Sequence, residues 1–228
     1  MFRLFSLLVL LLPTLVSCSP ASAAEVGPRP PRYVAIGASD SVGVGAADPD
    51  HDGWVPRFYA HLPSGSTLVN LGISGSTLHE ALVQQLPVAL DAQPDLVTVW
   101  LAVNDFDARV SLDKYGADLD TMLTELDGTG ATVLVGNLPD LRLLPRYSGI
   151  DPQLLGAALA AWNRVIADVT GRHHAVLVDL NPTWQEIAQH PEYISADGFH
   201  PSSAGYARLA EVFWTAYVAA PVGGSARG

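Results

Sequence analysis

A three-layer α/β/α domain around a central five-stranded parallel sheet is the fold this sequence predicts. Two patterns carry that expectation. Five short apolar segments alternate along the chain with helical patterns, and the segments are apolar at nearly every position rather than at every second one. Continuously apolar strands belong to sheets covered on both faces, and alternation with helices makes such a sheet parallel. Size agrees: 228 residues, 49% of them hydrophobic and 15% charged, suit one compact domain with a sizeable core.

The first strand is Tyr33-Val34-Ala35-Ile36, stopped by the turn at Gly37. Thr67-Leu68-Val69-Asn70-Leu71 is the second and ends at Gly72. Leu96 to Leu101, apolar apart from Thr98, is the third; Ala131 to Val135 and Ala175 to Leu180 complete the five. Leu112, Tyr115, Leu119, Met122, Leu123 and Leu126 recur at spacings of three and four, the signature of a helix with one apolar face. Leu154 to Val169 forms another helix, with Pro152 in its first turn, where a missing N–H costs nothing. A last helix begins after Ser202 or Ser203, either a suitable cap, and turns Tyr206, Leu209, Ala210 and Phe213 inward.

The segments outside this pattern read differently. Arg3 followed by a mostly apolar run from Leu4 to Val16, broken by Pro13, is too short for a membrane span of roughly 20 residues and suits a signal-peptide core. Two exits follow: a small-residue cleavage site at Ala21-Ser22-Ala23, or a lipobox, Leu15-Val16-Ser17-Cys18, ending at the one cysteine of the chain. The preferred division is a signal peptide over 1–18 with Cys18 lipidated, a Pro/Ala/Ser-rich tether over 19–32, the domain over 33–219, and a small-residue tail over 220–228. Either exit implies export, and the lipobox adds membrane attachment through the lipid. A lone cysteine excludes an internal disulfide. The net charge of -11, with Lys114 the single lysine, argues against nucleic acid, whose phosphates call for clustered cations.

Ligands of parallel sheets bind beyond the carboxyl ends of the strands. Four polar clusters fall there: Ser39-Asp40-Ser41 after strand one, Ser74-Gly75-Ser76 after strand two, Asn104-Asp105 after strand three, and Asp197 with His200 before the last helix. Taken singly, each is ordinary: a helix cap, a glycine turn, turn chemistry, a tight turn before Pro201. Together they supply a nucleophile, a base and a carboxylate to orient the base.

On these residues the chain resembles the SGNH hydrolases, or GDSL esterase/lipase family, whose four blocks fall here in order. Gly37-Ala38-Ser39-Asp40-Ser41-Val42-Gly43 is similar to the first block, Asn70-Leu71-Gly72-Ile73-Ser74-Gly75-Ser76-Thr77 to the second, Ala102-Val103-Asn104-Asp105 to the third and Asp197-Gly198-Phe199-His200-Pro201 to the last. The resemblance implies a flavodoxin-like fold and a serine esterase with Ser39 as nucleophile, His200 as base and Asp197 as its orienter. It further implies an oxyanion hole built from the Ser39 and Gly75 amides and the Asn104 side chain, with no metal and no organic cofactor. The implied substrate is a small-molecule ester of a lipid or an acylated glycan: a short acyl ester, a lysophospholipid or an O-acetyl group. The absence of a long apolar lid tilts the choice to short acyl chains. Leu138 to Ile150 is the one sizeable loop that could shape the acyl pocket.

Two positions depart from the family pattern. Ala38 stands where the first block usually has Asp, and Ala102 where the third usually has Gly. The first departure opens a second register in which Asp40-Ser41 is the Asp-Ser pair and Ser41 attacks. Both together favour the competing reading, an exported binding protein on a hydrolase scaffold with impaired catalysis. No Gly-x-Ser-x-Gly elbow is present, which excludes the common α/β-hydrolase signature, and Gly43-Val44-Gly45 lacks the third glycine of a dinucleotide loop. Asp48 to Gly53 resembles half a calcium loop but has Tyr59 at the twelfth position, so a solvated acidic turn is expected. His173-His174 suits a helix C-terminus without a metal. Trp54 and Trp184 are assigned equally to the substrate mouth, the core or a surface platform.

Overall fold

The computed structural model describes residues 29–220. The expected signal peptide, Cys18 and most of the expected tether fall outside the described residues, as do residues 221–228. The elements run β1 (Arg32–Gly37), α1 (Ser39–Val42), α2 (Pro49–Asp52), α3 (Trp54–Ala60), β2 (Thr67–Asn70), α4 (Leu78–Gln84), α5 (Leu86–Asp91), β3 (Leu96–Trp100), α6 (Val103–Asp107), α7 (Leu112–Asp127), β4 (Thr132–Gly136), α8 (Pro152–Arg172), β5 (Val176–Val178), α9 (Leu180–Trp184) and α10 (Ser203–Ala219), with two 3₁₀ turns between β4 and α8 and two between α9 and α10.

The five strands form one parallel sheet in the order β2-β1-β3-β4-β5. β1 and β3, at its middle, are buried almost throughout, so their apolar runs leave no polar face to read. The expected strands agree with the observed ones to within two residues. Tyr115, Leu119, Met122, Leu123 and Leu126 form the buried stripe of α7, and Leu155, Leu159, Trp162, Ile166 and Val169 that of α8. Pro152 opens α8 as its first residue behind the Asp151 cap, and Ser202 caps α10 by accepting from the Gly205 amide at 3.3 Å.

Trp54 belongs to the core. It is fully buried, stacks on Phe213 with ring centroids 4.3 Å apart and meets Trp100 edge-on at 6.0 Å. Aromatic pairs of this kind contribute about 0.5–1.5 kcal/mol beyond their buried area, and this group ties α3, β3 and α10 together. Of the acidic stretch after residue 47, Asp48 accepts from or pairs with the His51 ring at 2.9 Å. Asp52 receives the Arg57 guanidinium at 2.6 Å and the Ser203 hydroxyl at 3.2 Å. The loop is closed by its own partners. His173, at the end of α8, lies between Asp127 at 2.8 Å and Asp120 at 3.1 Å, both on α7. Those hydrogen bonds, Asp127's first, push its pKa up, so the imidazolium staples the two helices.

Candidate active site

β1 delivers the chain into a turn that is tight because Gly37 has no side chain: a Cβ there would lie 2.0 Å from the Ser41 hydroxyl. Ala38 follows in an extended conformation without a side-chain cap, and Ser39 opens α1. Ser39 is 8% exposed and its hydroxyl lies 2.9 Å from His200 Nε2. Ser41, the nucleophile of the second register, is turned the other way. It is 1% exposed, its hydroxyl has no partner, and it packs under Gly37 and Gly72.

His200 sits in a loop held shut at its base, where Ile194 and Pro201 form an antiparallel bridge and the Ser195 amide donates to the His200 carbonyl at 2.8 Å. Within that loop Asp197 Oδ2 is 2.6 Å from His200 Nδ1. A carboxylate only accepts, so Nδ1 carries the proton and the Nε2 lone pair faces the Ser39 hydroxyl. Asp197 Oδ1 accepts from the Ser195 hydroxyl at 2.8 Å and from the amides of Phe199 and His200 at 2.8 and 2.9 Å. Burial alone would raise the Asp197 pKa. The hydrogen bonds from His200, Ser195 and the two amides outweigh it and hold the carboxyl well below the usual range, which keeps it charged opposite the imidazole.

A second loop supports this one from outside. The Arg146 amide donates to the Gly198 carbonyl at 3.2 Å, and its guanidinium lies 4.6 Å above the Phe199 ring. Phe199 in turn meets His200 edge-on at 4.6 Å. Asp107, at the end of α6, accepts from Tyr147 at 2.9 Å and from Arg146 at 3.1 Å. The loop from Leu138 to Ile150 thus braces the histidine as well as flanking the site.

Gly75 and Asn104 complete the cluster. Gly75 has φ of +82°, a conformation that favours glycine, and open space beside its Cα. No described residue accepts from its amide. Asn104 donates one N–H to the Ser76 carbonyl at 2.9 Å, which leaves the second for a ligand. Asp105, next to it, is buried and accepts from the Leu78 amide at 2.9 Å, binding the loop after β2 to the loop after β3. Burial pushes its pKa up to about 6, and the same cause raises Asp40 to about 6 against the pull of His200.

Ser39 and Asn104 line one cavity of about 10 Å³ at the carboxyl edge of the sheet, with Ala38, Ala102 and Phe199 among its other walls; His200 and Asp197 join it through the Ser39 hydroxyl, and the loop after β2 through the Ser76 carbonyl bound to Asn104. The two departures sit in its wall. Ala102 has φ of -164°, which any residue adopts, so its methyl narrows the cavity without strain. Sequence reasoning gave no role to Gln85, Ser195, Phe199 or Arg146, although Phe199 stands in the last block and Arg146 in the loop from Leu138 to Ile150; Gln85 left only the trace of a polar residue in step with the apolar Ala81 and Ala89 at four-residue spacing.

Residues 35–208 match the model of the GDSL-like Lipase/Acylhydrolase family. An acetylxylan esterase of Geobacillus stearothermophilus is 24% identical, over 65% of this chain and 71% of its own. The crystal structure of TesA superposes with a TM-score of 0.64 at 27% identity, covering 81% of this chain and 97% of the other. The lipase/acylhydrolase from Enterococcus faecalis has the same fold, with a TM-score of 0.64 at 22% identity over 81% and 93% of the two chains.

Proposed function

We propose, on the premise that this chain belongs to the GDSL-like lipase/acylhydrolase family and is a carboxylic ester hydrolase, that it cleaves small acyl esters through Ser39, His200 and Asp197. The observation that carries this reading is the unbroken chain of contacts, 2.9 Å from Ser39 to His200 and 2.6 Å from His200 to Asp197. A binding protein gains nothing from a base aimed at a serine.

In the first half-reaction His200 Nε2 takes the proton of the Ser39 hydroxyl as Oγ attacks the ester carbonyl. The resulting oxyanion is held by the Ser39 and Gly75 amides and the free N–H of Asn104. Collapse of the tetrahedral adduct expels the alkoxide, which takes the proton from His200 and leaves as the alcohol. Water then enters, gives a proton to His200 and attacks the acyl-serine; the acid departs and the serine regains its proton. Asp197 stays ionised throughout and holds the imidazole in one tautomer. No step calls on a metal or an organic group.

Two features support a small acyl group. The cavity against Ser39 has room for about one water-sized group, and the Ala102 methyl contributes to that narrowness. The similarity to an acetylxylan esterase points the same way, towards O-acetyl groups on glycans as the natural class. Hydrolysis of p-nitrophenyl acetate, butyrate and palmitate by wild type, Ser39→Ala and Ser41→Ala tests the reading. Turnover that falls with chain length and vanishes only in Ser39→Ala is the expected result. Equal turnover of palmitate, or activity surviving in Ser39→Ala, would overturn it.

A further inference from the structure

The turn that carries Ser39 and the loop that carries Gly75 come from different strands, and one buried side chain joins them. Gln85 lies at the junction of α4 and α5 and is 1% exposed. Its Oε1 accepts from the Gly37 amide at 2.9 Å, and its Nε2 donates to the Gly37 carbonyl at 3.0 Å and to the Ser76 hydroxyl at 3.3 Å. The Gly37 peptide fixes which end of the carboxamide is which, because its N–H can only donate and its carbonyl only accept.

We propose that Gln85 is the positioning residue that sets the spacing of the oxyanion donors. The inference rests on the reading of Ser39, Gly75 and Asn104 given above. Two of the donors lie within two residues of a residue that Gln85 holds, Gly37 or Ser76, and the third is bound to the backbone carbonyl of Ser76. The Ser39 amide is two residues beyond Gly37. Gly75 directly precedes Ser76. The Asn104 carboxamide is oriented by the Ser76 carbonyl at 2.9 Å. Other bonds tie these loops from the rim: Ile73 donates to the Gly37 carbonyl at 3.2 Å, and Asn70 donates to the Ser41 carbonyl at 2.6 Å. Gln85 alone among the described residues hydrogen-bonds through its side chain to both Gly37 and Ser76. Oxyanion donors act only when they stand where the charge develops, so a side chain outside the hole can govern turnover through their placement.

The test is steady-state turnover of p-nitrophenyl acetate by Gln85→Met, Asn104→Ala and the double variant, with circular dichroism confirming the fold. The expected result is a kcat lower by about 10- to 100-fold in Gln85→Met, with KM within about twofold, since a displacement of about 1 Å costs up to that factor. In the Asn104→Ala background the same substitution should cost less than it does alone, because part of what it positions is gone. A folded Gln85→Met with wild-type kcat, or a loss fully additive with that of Asn104→Ala, would overturn the proposal. Should Gln85→Met fail to fold, Ser76→Ala removes one contact of the same hub: a severalfold fall in kcat supports the proposal and an unchanged kcat defeats it. Ser39→Ala in the same assay separates the two readings. Activity surviving there sinks the site itself, whereas its loss beside a fully active Gln85→Met sinks only the role of Gln85.

Discussion

The carboxyl edge of the sheet carries two pockets, one beyond the end strands β4 and β5 and one beyond the central β1 and β3, and they solve the same local problem differently. At the β4–β5 end a cleft of about 630 Å³ is lined by Asn137, Asp140, Arg142, Asn163 and Asp179 among others. Its polar groups are largely engaged with one another. Asn137 donates to Asp179 and accepts from the Leu180 amide, Asn163 closes both ways on Leu138, and Asp140 takes Arg142 through two oxygens. Beyond β1 and β3 the cavity is about 10 Å³, and here Asn104 keeps a carboxamide N–H beyond the one it gives Ser76, in the same cavity wall as a serine whose hydroxyl lies 2.9 Å from His200. On the proposed function, room does not mark reactivity: what separates the two pockets is whether fixed donors remain for a developing charge to use.

The sharpest way to break this comparison is to remove the serine. Ser39→Ala should lower kcat/KM for p-nitrophenyl acetate by about 10⁴-fold or more, and residual activity of wild-type size would show that the chemistry lies elsewhere on the edge. Asn104→Ala comes next, with kcat lower by about 100- to 1000-fold and a melting temperature close to that of wild type. At the other end Arg142→Ala should do the reverse. It leaves the buried Asp140 carboxylate, 3% exposed, without its bidentate partner, and should destabilise the fold by about 1–3 kcal/mol while kcat/KM stays within about twofold. Thermal denaturation and esterase assay on one preparation read both quantities.

The smallest effect concerns pH. Burial raises Asp105 to about 6, above its value in the unfolded chain of about 3.9. The folded state thus favours the neutral acid: that contribution to stability is complete below about pH 4 and is lost as the pH rises through about 6. Asp105→Asn removes the dependence. The melting temperature of the variant minus that of wild type should be more positive at about pH 8 than at about pH 4.5. An unchanged difference would mean that the carboxyl is charged at both ends of the range.

Much of this molecule was legible from residue order. Strands buried on both faces read as unbroken apolar runs, and α7 and α8 are long enough for their period to show. Helices of four to seven residues, such as α3 over Trp54–Ala60 and α4 over Leu78–Gln84, give too few turns for a period, which is why Trp54 could not be assigned to the core from sequence. The register of the serine turn was open on spacing alone. In the fold the Ser41 side chain fills the space that Gly37 and Gly72 leave empty, which favours the register proposed for Ser39. Gln85 was passed over because its partners at 37 and 76 lie in segments that only the sheet order brings together.

Ser39 and His200 stand 161 residues apart in the chain, with the four strands β2 to β5 between them. Ring closure over that distance adds little to the entropic cost, which grows only with the logarithm of length, but it orders events in time. α10, which directly follows the histidine loop, is tied to the segment after α1: Tyr206 donates to the Val44 carbonyl at 2.7 Å and Ser203 accepts from the Ala47 amide at 2.9 Å. If Ser39 and His200 act as proposed, a chain cut before residue 200 would hold a serine with no base, and in a refolding experiment the return of ester hydrolysis would date the arrival of the histidine loop rather than the formation of the sheet.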